Sequence, residues 1–77
     1  FQPPLEIGAV GGADILEFRV GAGDAAAGRR VRELGLPRTA LLAVIVRGRE
    51  AIPPRGRTTI EAGDRLYVLT RAEDLGR

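Results

Sequence analysis

The sequence predicts an α+β domain: a small, mostly antiparallel β-sheet with one main helix, in a dimeric assembly. Three observations predict it. Residues 15–20 alternate, with Leu16, Phe18 and Val20 on one side and Glu17 and Arg19 on the other, the period of a half-buried strand. Residues 41–46 are an unbroken apolar run that ends in Arg47 and a Gly48-Arg49 turn, a two-residue hairpin loop with Gly at its first central position. Between them Ala27, Val31 and Leu34 recur at i, i+4 and i+7, a helical stripe.

The elements follow in chain order. Residues 1–4, with Pro3 and Pro4, read as a linker, and residues 5–77 as a single domain. Leu5, Ile7 and Ala9 share one face of a first strand over residues 5–10. A turn at residues 11–14 leads into the strand at 15–20, which Gly21 to Gly23 break. Asp24 is placed to cap a helix by accepting the free N–H groups of its first turn. Gly28 would lie inside that helix at a cost of about 1 kcal/mol relative to Ala, which reads either as a weakness that compositional bias leaves in place or as a close backbone neighbour that only Gly permits. Gly35 ends the helix and Pro37 prevents its resumption. The strand at 41–47 is apolar on both faces, so it is expected to be central or at an interface. Glu50 to Ile52 pair back until Pro53 and Pro54 end the ladder. Ile60 re-enters the core, residues 62–64 turn the chain, and residues 65–70 form the last strand. Residues 71–77 read as the first turns of a second helix, cut short, so the chain is expected to be a piece of a longer protein.

Composition excludes more than it includes. A 77-residue domain buries only about 60% of its unfolded surface, so oligomerisation is an inexpensive source of added stability. Cys, His and Ser are all absent, which removes the usual nucleophiles, general bases and soft metal ligands. The carboxylates are scattered, and the four threonines have no His or Cys base. No catalytic site, cofactor or metal is expected. All 12 basic residues are Arg, a usage that compositional bias explains alongside abundant Ala and Gly. A net charge of +2 is too small to imply a nucleic-acid polymer as partner. Arg55-Gly56-Arg57 has no aromatic neighbour for base stacking and reads as a solvated loop. Arginines gathered on one surface would favour nucleic acid; arginines spread around the domain would not.

Gly63-Asp64 reads as a structural turn in which Asp bonds backbone N–H groups. Arg47 is placed to pair with Glu50 or Glu61, or else to meet a phosphate or a partner subunit.

Four segments occur in a telling order. Ala26-Ala27-Gly28-Arg29-Arg30-Val31-Arg32-Glu33-Leu34-Gly35-Leu36-Pro37 precedes Val44-Ile45-Val46-Arg47-Gly48, then Ile52-Pro53-Pro54, then residues 59–64 ending in Gly63-Asp64. Together they resemble the C-terminal ligand-sensing domain of potassium-transport regulators, the TrkA C-terminal (RCK_C) family. The resemblance implies a cytosolic regulatory domain that forms a homodimer. It implies a covalently linked membrane transporter in the parent chain, most similar to a cation/proton antiporter of the bacterial inner membrane. Several members bind cyclic di-AMP in the dimer cleft. The matching segment here is Arg38-Thr39-Ala40-Leu41-Leu42, with Pro53 and Pro54 as the cleft wall. Arg38 would neutralise phosphate, while Leu41 and Leu42 would hold the purine. No amide side chain is present in that strand, so base recognition would fall to backbone groups. A structural oligomerisation module without a small-molecule ligand is the alternative.

Overall fold

The computed structural model of the protein describes residues 3–71. Residues 1–2 of the expected linker, and all but the first residue of the helix expected at 71–77, lie outside the described residues. Among the described residues five strands form one antiparallel sheet: β1 (Leu5–Val10), β2 (Ala13–Arg19), β3 (Leu41–Arg47), β4 (Glu50–Ile52) and β5 (Arg65–Thr70). Their order is β1-β2-β5-β3-β4, so the last strand lies at the centre, between two hairpins. The hairpin at Gly48 has the expected positive φ of 63° at its first loop residue.

Alternation sorts the sheet into two faces. Leu16 of β2 and Val20 just after it, Leu42 and Ile45 of β3, and Leu66 and Val68 of β5 point to the core face, where Ile60 joins them at 0% exposure. β3 keeps both Leu42 and Ile45 inward because a bulge between Leu42 and Val44 shifts the register by one residue.

The expected main helix does not form. Among the described residues the helical content is a single 3₁₀ turn, Val31–Glu33. Residues 21–30 are instead a run of tight turns, closed by Asp24 N–H to Gly21 O, Ala27 N–H to Asp24 O and Arg29 N–H to Ala26 O. The reason lies in where the backbone groups find partners. Gly28 N–H donates to Ile60 O at 2.8 Å, Ile60 N–H to Arg29 O at 2.8 Å, Val31 N–H to Thr58 O at 2.9 Å and Arg32 N–H to Gly56 O at 3.0 Å. These bonds to another segment replace the i→i−4 bonds of a helix. Gly28 adopts φ 86°, which a right-handed helix forbids and Gly alone enters freely. Among the described residues no α-helix follows Asp24 for it to cap; its carboxylate accepts the N–H of Gly21 at 2.7 Å and tightens the turn before it. The apolar stripe nonetheless does its work: Ala27, Val31 and Leu34 all pack on the core.

Candidate functional site

The segment expected to bind ligand sits where the irregular cover passes back into the sheet. Pro37 O accepts the N–H of Ala40 at 3.0 Å, a turn that carries Arg38 and Thr39 at its tip, both exposed. Ala40 packs against the core. Leu41 and Leu42 then separate to opposite faces: Leu41 is 61% exposed and Leu42 only 8%. Within one chain, Leu41 therefore offers apolar surface and Leu42 belongs to the core. The antiparallel pairing Ile45↔Ile52 directs Pro53 and Pro54 back alongside the first half of β3. Pro53 is exposed and Pro54 half-buried. Arg38 has no ion pair or side-chain hydrogen bond among the described residues.

Leu41 also begins a row across the outer face of the sheet. It lies opposite Leu69, which lies opposite Ile15, which lies opposite Gly8. Leu5 and Val10, 58% and 54% exposed, flank this row on β1. The next row is polar. Glu17 faces Tyr67, and the phenol donates to its carboxylate at 2.5 Å. Arg19 Nε adds a second bond at 3.3 Å. The phenol first, and Arg19 second, hold the Glu17 carboxyl below its ordinary range against the opposing effect of burial. The same bond pushes the Tyr67 phenol up. The sequence reading placed Glu17 off the apolar face but did not find its partner, because the pairing of residues 17 and 67 is set by the insertion of β5 beside β2.

The turn at Gly63-Asp64 is structural, as expected. Gly63 has φ 92°, and Asp64 accepts the N–H of Glu61 at 2.9 Å. Asp64 is 1% exposed and receives a two-pronged bond from Arg47, at 2.8 Å to each oxygen. Arg47 also donates to Thr59 O at 3.0 Å and lies 3.4 Å from Glu61, one of its two expected partners. The guanidinium holds the Asp64 carboxyl below its usual value, although burial opposes this. Arg47 thus ties the end of β3 to the turn that launches β5, with all three of its guanidinium nitrogens facing acceptors.

An open recess of about 370 Å³ lies elsewhere, between Phe18, Leu66 and the turns at Gly23 to Ala26. Among the described residues no group of three or more His, Cys, Asp or Glu is arranged to hold a metal ion. No helix among them is long and apolar enough to cross a membrane.

A family model described as the TrkA-C domain matches residues 15–77. The Trk system potassium uptake protein TrkA homolog of Archaeoglobus fulgidus is 44% identical over 48 residues, which cover 62% of this chain. TrkA homolog 1 of Methanosarcina mazei, also named a Trk system potassium uptake protein, is 32% identical over 60 residues, 78% of the chain. The matched stretches span only 11% and 13% of those two proteins.

Proposed function

The chain belongs to the TrkA-C domain family, and on that premise we propose that it is a non-catalytic regulatory module of potassium transport. It works as a homodimer that senses a small anionic ligand, with cyclic di-AMP as the ligand class, and is joined in its parent chain to a cation/proton antiporter or related carrier at the cytoplasmic face of a membrane. The observation that carries this reading is the position of Leu41. It is an exposed leucine in register with Leu69 and Ile15, and it directly follows the turn that presents Arg38. A two-fold axis across this apolar row brings two copies of the 38–42 segment together. Two Arg38 side chains then face the two phosphates of a two-fold ligand. Leu41 and Pro53 supply apolar walls and Thr39 and Ala40 backbone groups the rim, while Leu42 supports Leu41's strand from the core. Ligand that bridges two subunits favours one dimer geometry, and the attached carrier responds to that shift in population.

Calorimetric titration of the chain with cyclic di-AMP tests the reading. One ligand per dimer is expected, and Arg38→Ala weakens binding about tenfold or more. Leu41→Ala weakens it less and leaves its salt dependence unchanged, since it removes no charge. A sedimentation result showing a monomer at high concentration would overturn the dimer. Dimerisation without any ligand heat would favour the structural oligomerisation module, which the exposed apolar row also supports.

A further inference from the structure

The backbone pairing that replaces the helix has a second result. It brings two arginine-rich segments side by side. Arg32 N–H bonds Gly56 O, Arg30 forms a bridge with Thr59, and a Cβ on Gly56 would lie 3.7 Å from Cβ of Arg32. Arg30 and Arg32 on one segment therefore adjoin Arg55 and Arg57 on the other. All four are exposed, and none has an ion pair or side-chain hydrogen bond among the described residues. The other paired arginines behave differently: Arg19, Arg29, Arg47 and Arg65 each donate to a carboxylate or carbonyl. The acid within the cluster, Glu33, accepts the backbone N–H of Arg30 at 2.8 Å, and its carboxylate also feels the charges of Arg30, Arg29 and Arg32, which help hold it below its ordinary range, so it offsets one of the four charges and leaves the patch net positive. The loop that holds Arg55 and Arg57 is fixed. Pro53 O accepts from both Arg55 N–H and the Thr58 hydroxyl, and Thr58 N–H closes on Arg55 O. The four cations are thus displayed on a braced surface, on a molecule whose net charge is only +2.

We propose that Arg30, Arg32, Arg55 and Arg57 form an adsorption surface for the phosphate headgroups of an anionic bilayer. Guanidinium forks suit phosphate oxygens, and an open array of them suits a plane of headgroups. Among the described residues the patch has no aromatic side chain on which a base would stack, since Phe18 and Tyr67 belong to β2 and β5. Among the described residues no α-helix is present to enter a groove of duplex DNA. The choice of partner rests on the transport reading, which sets the domain beside a bilayer and carrier loops. Cytosolic loops of membrane proteins are themselves rich in Lys and Arg and repel such a patch, whereas anionic lipids attract it. The cover that bears the patch lies over the core face of the sheet, so pairing through the outer face leaves the arginines free.

Co-sedimentation of the chain with vesicles of equal parts phosphatidylglycerol and phosphatidylcholine tests the proposal. Binding is expected to these vesicles and not to phosphatidylcholine alone. It should vanish near 1 M salt, where screening shortens to about 3 Å. Each Arg→Gln change among the four should weaken partitioning about fivefold, whereas Arg49→Gln, in the β3–β4 hairpin loop, should have little effect. Circular dichroism of each variant reports whether it is folded. Absence of binding at low salt, or equal effects of Arg57→Gln and Arg49→Gln, would overturn the proposal. Tighter binding to a short DNA duplex than to the vesicles would reassign the patch to nucleic acid. None of these outcomes depends on cyclic di-AMP, so failure here and failure of the ligand reading are separable.

Discussion

Two regions of the molecule bury apolar side chains against the same core by different means. In the sheet, β5 sends Leu66, Val68 and Thr70 inward at every second residue, and its backbone bonds run to the strands on either side. In the cover, residues 21–40 send Ala26, Ala27, Val31, Leu34 and Ala40 inward with no repeating backbone, and their N–H groups go to turns or to residues 56–60. The spacing of apolar residues therefore reports which side chains meet the core. It reports the backbone path only where the hydrogen bonds repeat with the same period.

The largest expected effect tests whether the cover belongs to the core as fully as the sheet does. Ile45 of β3 and Ile60, in the segment bonded to the cover, are both 0% exposed. Ile45→Ala and Ile60→Ala should each cost about 2–5 kcal/mol in urea unfolding, and by similar amounts. A far smaller cost at Ile60 would mean that the cover yields independently of the sheet.

The Arg47–Asp64 pair ties β3 to the turn that launches β5, and its loss ranks next. Asp64→Ala should cost about 2–3 kcal/mol, since it removes a buried acceptor of charged bonds. For a domain of this size each kcal/mol lowers the melting temperature by about 4–8 °C. The carboxyl is held below its ordinary value, so its stabilisation is complete above about pH 3.9 and is lost as pH falls through the lowered value. Wild type should lose stability in acid over that range, and Asp64→Ala should lose less.

Gly28→Ala gives a result whose sign decides the comparison. Were residues 24–34 a helix, this change would stabilise by about 1 kcal/mol. With φ 86° and open space around the Cβ position, only backbone strain is added, and a loss of roughly 1 kcal/mol is expected. Chemical denaturation of the single variant distinguishes a gain from a loss.

Tyr67→Phe, on the outer face of the sheet, should cost about 1 kcal/mol by removing one donor from Glu17. Nuclear magnetic resonance titration should show the Glu17 carboxyl moving up toward the ordinary range in this variant. The wild-type contribution is present above about pH 4.3 and disappears as pH falls through the lowered Glu17 value.

The strands were legible because their signals are local. Alternation in residues 15–20, the Gly48-Arg49 turn and the proline stop at Pro53 each need only neighbouring residues to be read, and four of the five strand spans match the structure in full. β2 begins two residues earlier than expected, at Ala13, because Gly11 and Gly12 make the turn alone with φ of 57° and 82°. The helix was misread because residues 56–60 outcompete it for its N–H groups, a partnership between segments almost thirty residues apart. At the candidate site, the chain order of Arg38 to Leu42 was legible, but the division of Leu41 outward and Leu42 inward follows from the pairing of β3 with β5. The gathering of Arg30, Arg32, Arg55 and Arg57 had no signal in the sequence, because it exists only once the two segments pair.

The central place of β5 bears on how the protein is made. A ribosome delivers the two outer hairpins, β1–β2 and β3–β4, before the strand that joins them. Until Thr70 has emerged, β2 and β3 each present an unpaired edge and a leucine-rich face to the cytosol. This sheet therefore cannot mature strand by strand in chain order; its two hairpins wait, aggregation-prone, for β5. A stop codon or frameshift before residue 65 should leave this domain without the strand that joins its two hairpins, and so without a folded sheet.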